Sequence, residues 1–270
     1  MMLIAAACSG ANKGKGQPAN TPTVQDVVAR FGKSSAALTA FRGDATMDYW
    51  LSGQRAKGEV LVMGKVGRFV RFAALSPAGG STLAEMACDG TNFVYVDYQN
   101  NCQLSGPCDA KSVAVFFNIE LEPDDFLHLA LGTPPLIANP TGKVTWDGSK
   151  GAWNVELAGN GETQKLSITK DWDVVSSELN GSDGKQRWSV SNTDFKQVQG
   201  SGEYRVPNKS RFKSPANSQD LLVEWNQLEV NAQLPPNGFS LTAPKGLATC
   251  GQQAPAKPAP AKTAPTKPKP

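Results

Sequence analysis

The sequence predicts a mainly β protein: a strongly curved antiparallel sheet of about eleven strands, an incomplete β-barrel with helices covering its concave face. Three observations carry this. Short apolar runs at 44–51, 57–63, 68–75, 82–88 and 92–98 are separated by turn residues at Gly53, 64–67, 77–80 and Asp89-Gly90. Strict alternation returns at Trp153, Val155 and Leu157 against Asn154 and Glu156, and again at Leu166, Ile168, Trp188 and Val190, as expected of strands with one apolar and one wet face. Helical periodicity is confined to the start of the chain and one central insertion.

Taken in order, residues 1–8 read as a truncated lipoprotein signal peptide, a short apolar run ending in small residues and Cys8. No Lys or Arg precedes the run, and a start further upstream would account for its shortness. Residues 9–22 are a Gly-, Lys- and Pro-containing tether. Thr23 is an N-cap with Asp26 in the first turn, and Val24, Val27, Val28 and Phe31 share a helical face that Gly32 is expected to end; a second helical piece is expected over 34–41. The Asp89-Gly90 pair predicts a type I′ hairpin, because that turn needs two residues at positive φ. Residues 101–109 are expected to turn at Gly106-Pro107, and 110–117 to form a short helix bearing Val113, Phe116 and Phe117. Pro123 suits a first helical position, Asp124 and Asp125 suit the positive end of a helix, and Gly132 and Pro134 end it. Its apolar residues, Phe126, Leu127, Leu129, Ala130 and Leu131, surround most of the circumference, so it is buried on more than one side. The folded domain thus spans 23–250, and 251–270 is a Pro/Ala/Lys tail of extended, solvated type.

The formal net charge of +3 resides in that tail, whose Lys257, Lys262, Lys267 and Lys269 meet no acidic residue. The remainder is nearly neutral, which excludes a nucleic-acid groove built from clustered basic residues. Enzyme chemistry has little to stand on. The single histidine, His128, lies on the apolar helix, there is no Gly-x-Ser-x-Gly elbow and no Cys-x-x-Cys pair, and Gly32-Lys33-Ser34 lacks the upstream glycine of a phosphate loop. Glu120 with Glu122 and Asp124 with Asp125 read as loop and helix-start residues rather than an acid/base pair. No metal or cofactor site is predicted.

With Cys8 lipidated, four cysteines remain, and in an exported protein they predict two disulfides with three possible connectivities. A turn at Gly106-Pro107 makes Cys102 with Cys108 the easiest closure, which leaves Cys88 for Cys250.

Several segments resemble the lipoprotein-localisation (LolA/LolB-like) superfamily: Lys57-Gly58-Glu59-Val60, Val70-Arg71-Phe72, Ser76-Pro77 and Ala87-Cys88-Asp89-Gly90-Thr91-Asn92-Phe93 match its strand order. Gly238-Phe239-Ser240-Leu241 before Pro244-Lys245-Gly246 is similar to its closing strand, and the resemblance extends over 24–247. It implies a periplasmic domain that shields lipoprotein acyl chains on their way to the outer membrane of a Gram-negative bacterium, here anchored through Cys8, with Ser9 as the sorting residue. Implied partners are acyl chains or lipoproteins, the membrane itself and other envelope proteins. One departure concerns delivery: the loop at 76–80 offers only Ala78 where anchored members expose an apolar residue. Alternation nominates the ligand-facing residues: Val60, Val62, Val70, Phe72, Phe93, Tyr95, Trp153, Val155, Leu157, Trp188 and Trp225 from strands, with Phe116, Phe126 and Leu127 facing them from helices. A structural envelope lipoprotein with a filled core is the alternative, since a lipid cavity and a packed core use the same residue types.

Overall fold

A computed structural model describes residues 16–51, 54–77, 80–117, 119–215 and 219–251. In chain order the elements are α1 (Val24–Ala37), β1 (Ala40–Leu51), β2 (Gln54–Lys65), β3 (Phe69–Leu75), β4 (Thr82–Asp89), β5 (Asn92–Asp97), β6 (Cys102–Pro107), α2 (Ala110–Phe117), α3 (Pro123–Ala130), β7 (Thr141–Asp147), β8 (Ala152–Gly159), β9 (Glu162–Thr169), β10 (Val174–Asn180), β11 (Gln186–Lys196), β12 (Val206–Ser214), β13 (Gln219–Val230) and β14 (Ala248–Thr249). All strands join one 14-stranded sheet in the order β14-β6-β5-β4-β3-β2-β1-β13-β12-β11-β10-β9-β8-β7. The strand count therefore exceeds the expected eleven, and the end strands β14 and β7 do not pair, so the sheet is not closed into a barrel.

The topology is two antiparallel meanders joined by their terminal strands. The first, β1 to β6, steps outward from the middle of the sheet, and the second, β7 to β13, returns to pair β13 with β1. Gly43 sits at that junction because a Cβ there would lie 2.3 Å from Gln227 O, and the register shifts beside it between Asp44 and Ala45. Since β6 and β7 lie toward opposite edges, the segment between them must traverse the whole sheet, and that segment holds α2 and α3.

One ring shows how far the sheet bends. Phe126 of α3 packs edge-on against Phe72 of β3 at 5.1 Å and stacks on Phe212 of β12 at 6.1 Å. Those strands are four steps apart, about 19 Å in a flat sheet, yet their rings fall within about 11 Å of each other. The face against α3 is the concave one.

Local chemistry explains most of the elements and the departures from expectation. Thr23 and Asp26 form a full capping box, with Asp26 N donating to Thr23 Oγ1 at 3.2 Å and Thr23 N to Asp26 Oδ2 at 2.8 Å. The helix does not stop at Gly32 but continues to Ala37, because Val24, Val27, Phe31 and Ser34 keep one buried face and an interior glycine costs only about 1 kcal/mol. Residues 40 and 41, expected in a second helix, open β1 instead. At the β4–β5 turn only Gly90 has positive φ (95°), while Asp89 Oδ1 accepts from the backbone N–H of Thr91 and Asn92, so an aspartate-closed turn replaces the expected type I′ form. The 160–161 turn does have two positive φ values, 53° at Asn160 and 78° at Gly161.

The disulfide pattern also departs from expectation: Cys88 is bonded to Cys108 and Cys102 to Cys250, with Cα separations of 5.7 and 4.9 Å. Where a turn was expected, Cys102–Pro107 is strand β6, and a strand rising about 3.3 Å per residue holds Cys102 and Cys108 near 20 Å apart, far beyond bridging range. So does the expected closing strand at 238–241. It is irregular, and lies across the outer face with Phe239 packed on Phe69 at 5.4 Å and Arg71 Nη1 donating to Gly238 O at 2.8 Å. The chain beyond β13 thereby straps the convex side of the first meander, and β14 finally lies parallel to β6, Ala248 opposite Cys102, which brings Cys250 to its partner.

Candidate functional site: the covered concave face

Register fixes which side chains share the concave face. In the first meander Val62 pairs with Phe72, Phe72 with Met86 and Met86 with Tyr95, while Val70 pairs with Cys88 and Cys88 with Phe93. In the second, Val155 pairs with Leu166, Leu166 with Ser177, Ser177 with Val190, Val190 with Phe212 and Phe212 with Leu221. Directly paired residues point to the same side of a sheet. By this chain of pairs, with Val60, Trp153, Leu157, Trp188 and Trp225 at matching positions along their strands, all eleven strand residues nominated from alternation lie on one face, and all but the partly exposed Tyr95 are buried. Phe126 and Leu127 are buried against it from α3. The side chain of Phe116 and all of Cys8 fall outside the described residues.

The nominated residues do not form a single surface. Those on β2, β3, β5, β11 and β13 belong to a cluster with Phe126, Leu127, Leu129 and Leu131, whereas Trp153, Val155 and Leu157 belong to a second cluster beneath Val24, Val27 and Phe31 of α1. Alternation assigns a face, not a neighbour, so this division was not legible from the strands one at a time.

Between the clusters runs a row of buried polar residues that alternation passed over: Gln164, Ser177, Asn192 and Ser210. Gln164 is fully employed, with Nε2 donating to Pro135 O at 2.9 Å and Oε1 accepting from Ile137 N at 3.2 Å, and so pins the descent from α3 to β7. Asn192 Nδ2 donates to Val174 O at 2.9 Å, but its Oδ1 has no hydrogen-bond partner among the described residues, and neither do Ser210 Oγ or Trp225 Nε1. A signal did exist. Extending the Leu166/Ile168 and Trp188/Val190 alternations by one step reaches Gln164 and Asn192, polar residues at core positions.

The helical crossover is held at its edge by charge. Asp124 Oδ1 accepts the backbone N–H groups of Gly67 (3.1 Å) and Arg68 (2.8 Å), tying the start of α3 to the β2–β3 turn. Next to it Asp125 lines a cleft of about 640 Å³ with Leu121, Leu179, Trp188 and Ser214, where the crossover meets the ends of β10 to β12. Burial, reinforced by the Glu122 and Asp124 charges, pushes the Asp125 carboxyl up to about 6. Its folded value lies above its unfolded one, so its contribution to stability is full below about pH 4 and is lost as pH rises to about 6. Asp125→Asn is therefore expected to raise stability at pH 7 by about 1–2 kcal/mol, discounted for partial exposure, with no gain near pH 4. Urea titrations of both proteins at the two pH values check this.

His128 is partly buried at the end of α3: burial holds its pKa below the usual imidazole value, and Nδ1 lies 3.3 Å from Thr133 Oγ1. A second cleft, about 590 Å³, lies on the convex side over Leu61, Met63 and Ala73, between the Arg42–Glu229 (2.7 Å) and Arg71–Glu85 (2.6 Å) ion pairs. No helix among the described residues is long and apolar enough to cross a membrane.

Comparison of the chain with known protein families and with curated proteins finds no match. Solved structures do match. A LolA superfamily protein from Nitrosomonas europaea aligns over 82% of this chain and 98% of its own at 9% identity, TM-score 0.53. A putative outer membrane lipoprotein-sorting protein domain from Vibrio parahaemolyticus aligns over 79% and 94% at 8% identity, TM-score 0.53. The fold is LolA/LolB-like. A DUF1329 family protein from Desulfovibrio piger shares it, with 80% and 95% covered at 12% identity and a TM-score of 0.52. At such identities the LolA/LolB-like likeness speaks for the fold alone, so function rests on the site.

Proposed function

We propose that this protein is a lipid-anchored envelope carrier that holds acyl chains, free or on a lipoprotein, against its concave face, facing the periplasm from the outer membrane. The observation that carries the reading is the way the apolar face is closed. It is covered not by a second sheet but by a short crossover whose Phe126 bridges Phe72 and Phe212. A cover of two eight-residue helices and their connection, tied at Asp124, is small beside the sheet it lies on, and its displacement exposes an apolar surface drawn from both meanders. The described arrangement is the closed one. Acyl chains take the place of Phe126 and its neighbours when the crossover lifts, and the cleft at Asp125 and Trp188 is the mouth.

Anchoring is the second part of the reading. Each buried methylene contributes about 0.8 kcal/mol, so two or more acyl chains on Cys8 hold the domain stably at a membrane. Cys8→Ser is expected to move the protein into the soluble fraction, read by fractionation and blotting. A mutant still sedimenting with membranes refutes the anchor. The 76–80 loop, short of an apolar tip, favours binding over active insertion of cargo into a bilayer.

A further inference from the structure

Buried polar atoms at the seam and at the edge of the larger apolar cluster beside it are a poor fit to a simple core. Asn192 and Ser210 are directly paired across β11 and β12, and Ser210 is paired in turn with Val223 of β13, two positions before Trp225. Asn192, Ser210 and Trp225 are each at most 2% exposed, and each carries an atom with no hydrogen-bond partner among the described residues. An unsatisfied buried polar group costs about 1–3 kcal/mol, and leucine, alanine and phenylalanine would fill these positions without that cost. Three such groups on neighbouring strands of one face are therefore expected to meet a partner that comes from outside the chain.

From this we infer that Asn192, Ser210 and Trp225 form a subsite for the uncharged, hydroxyl-bearing head of an acyl ligand. The inference rests on the acyl-carrier reading and adds the class of ligand. The atoms define the complement: Asn192 Oδ1 only accepts, while one of the two hydrogens of its amide nitrogen is taken by Val174 O; Trp225 Nε1 only donates; Ser210 Oγ does either. A head offering at least one O–H and one carbonyl satisfies all three, as a glycerol monoester does. A carboxylate offers acceptors alone and would bury an uncompensated charge. Among the described residues no Lys or Arg is buried to compensate it: the buried charged side chains are Asp48, on the opposite face, and Asp173, paired with Arg205 at 2.9 Å. The apolar clusters on either side of the seam then receive the hydrocarbon.

The test uses the full chain with Cys8→Ser and three probes: diphenylhexatriene, which has no polar head, 1-monooleoylglycerol, and methyl oleate, which keeps the chain and ester but lacks hydroxyls. Monooleoylglycerol is expected to displace the dye at a roughly tenfold lower concentration than methyl oleate, because a site built to hydrogen-bond a hydroxyl rejects the analogue without it. Ser210→Ala should narrow that gap about three- to tenfold while dye binding is unchanged. Trp225→Phe should weaken both esters alike, since both present the carbonyl; if it does not fold, Ser210→Ala decides alone. Dye binding with equal affinity for the two esters, unaltered by Ser210→Ala, overturns the subsite and leaves the carrier reading standing. A protein that binds neither dye nor ester overturns the carrier reading, and the subsite with it.

Discussion

Replacing Cys102 and Cys250 together by serine will lower the stability of the oxidised protein by up to about 4–5 kcal/mol, more than the loss of the other disulfide. The bond spans 148 residues, and the entropy removed from the unfolded chain grows with the logarithm of loop length, so this closure exceeds the roughly 3 kcal/mol of a 20-residue loop such as that of Cys88–Cys108. These are upper values, because residual structure in the unfolded chain already reduces that entropy. The bond also holds the two-residue strand β14 against β6 and ends the strap that crosses the convex face. Its loss should therefore release the C-terminal strap before the sheet melts. Denaturant titration of the double mutant gives the magnitude, and hydrogen exchange at 238–250 gives the order of events. Non-reducing peptide mapping checks the pairing itself, and a fragment linking Cys102 to Cys108 would contradict it.

Phe126→Ala should cost about 3–5 kcal/mol in the absence of lipid, the range for deleting a fully buried aromatic ring. The carrier reading predicts something a filled core does not. The space left between Phe72 and Phe212 lies on the proposed acyl path, so the mutant should bind diphenylhexatriene more tightly than the parent and recover stability as 1-monooleoylglycerol is added. A ligand at a hundred times its Kd returns about 2.7 kcal/mol. Equal or weaker binding, with no ligand-dependent shift in melting, would favour the structural alternative.

What the sequence disclosed and what it hid follow one division. Period-two alternation is a property of a single strand, so the faces of Val60, Phe72, Val155 and Trp188 were readable, and the register places them together. Caps are equally local, as Thr23 with Asp26 shows. The form of the Asp89-Gly90 turn and the end of α1 were misread locally, but the misread features that set the architecture depend on contacts distant in sequence. Cys102 finds Cys250 only because β14 reaches β6 by way of the convex face, and β6 itself, carrying Gly106 and Pro107, has a turn-like composition but pairs along its whole length with β5. The split of the apolar face into two clusters arises from where α1 and α3 land, which no strand records. Among the candidate residues, the shared buried face of the apolar ones was legible, and so were Gln164 and Asn192 as one-step extensions of two alternations, whereas Ser177 and Ser210 stand out only when their neighbours are known.

The central claim is that the concave face takes acyl chains, and native mass spectrometry of the Cys8→Ser protein, purified from the soluble fraction without detergent, tests it most directly. The account predicts a population heavier than the polypeptide by the mass of an acyl lipid, which is displaced by added monooleoylglycerol. A single species at the polypeptide mass, unchanged when lipid is supplied in excess, would contradict it.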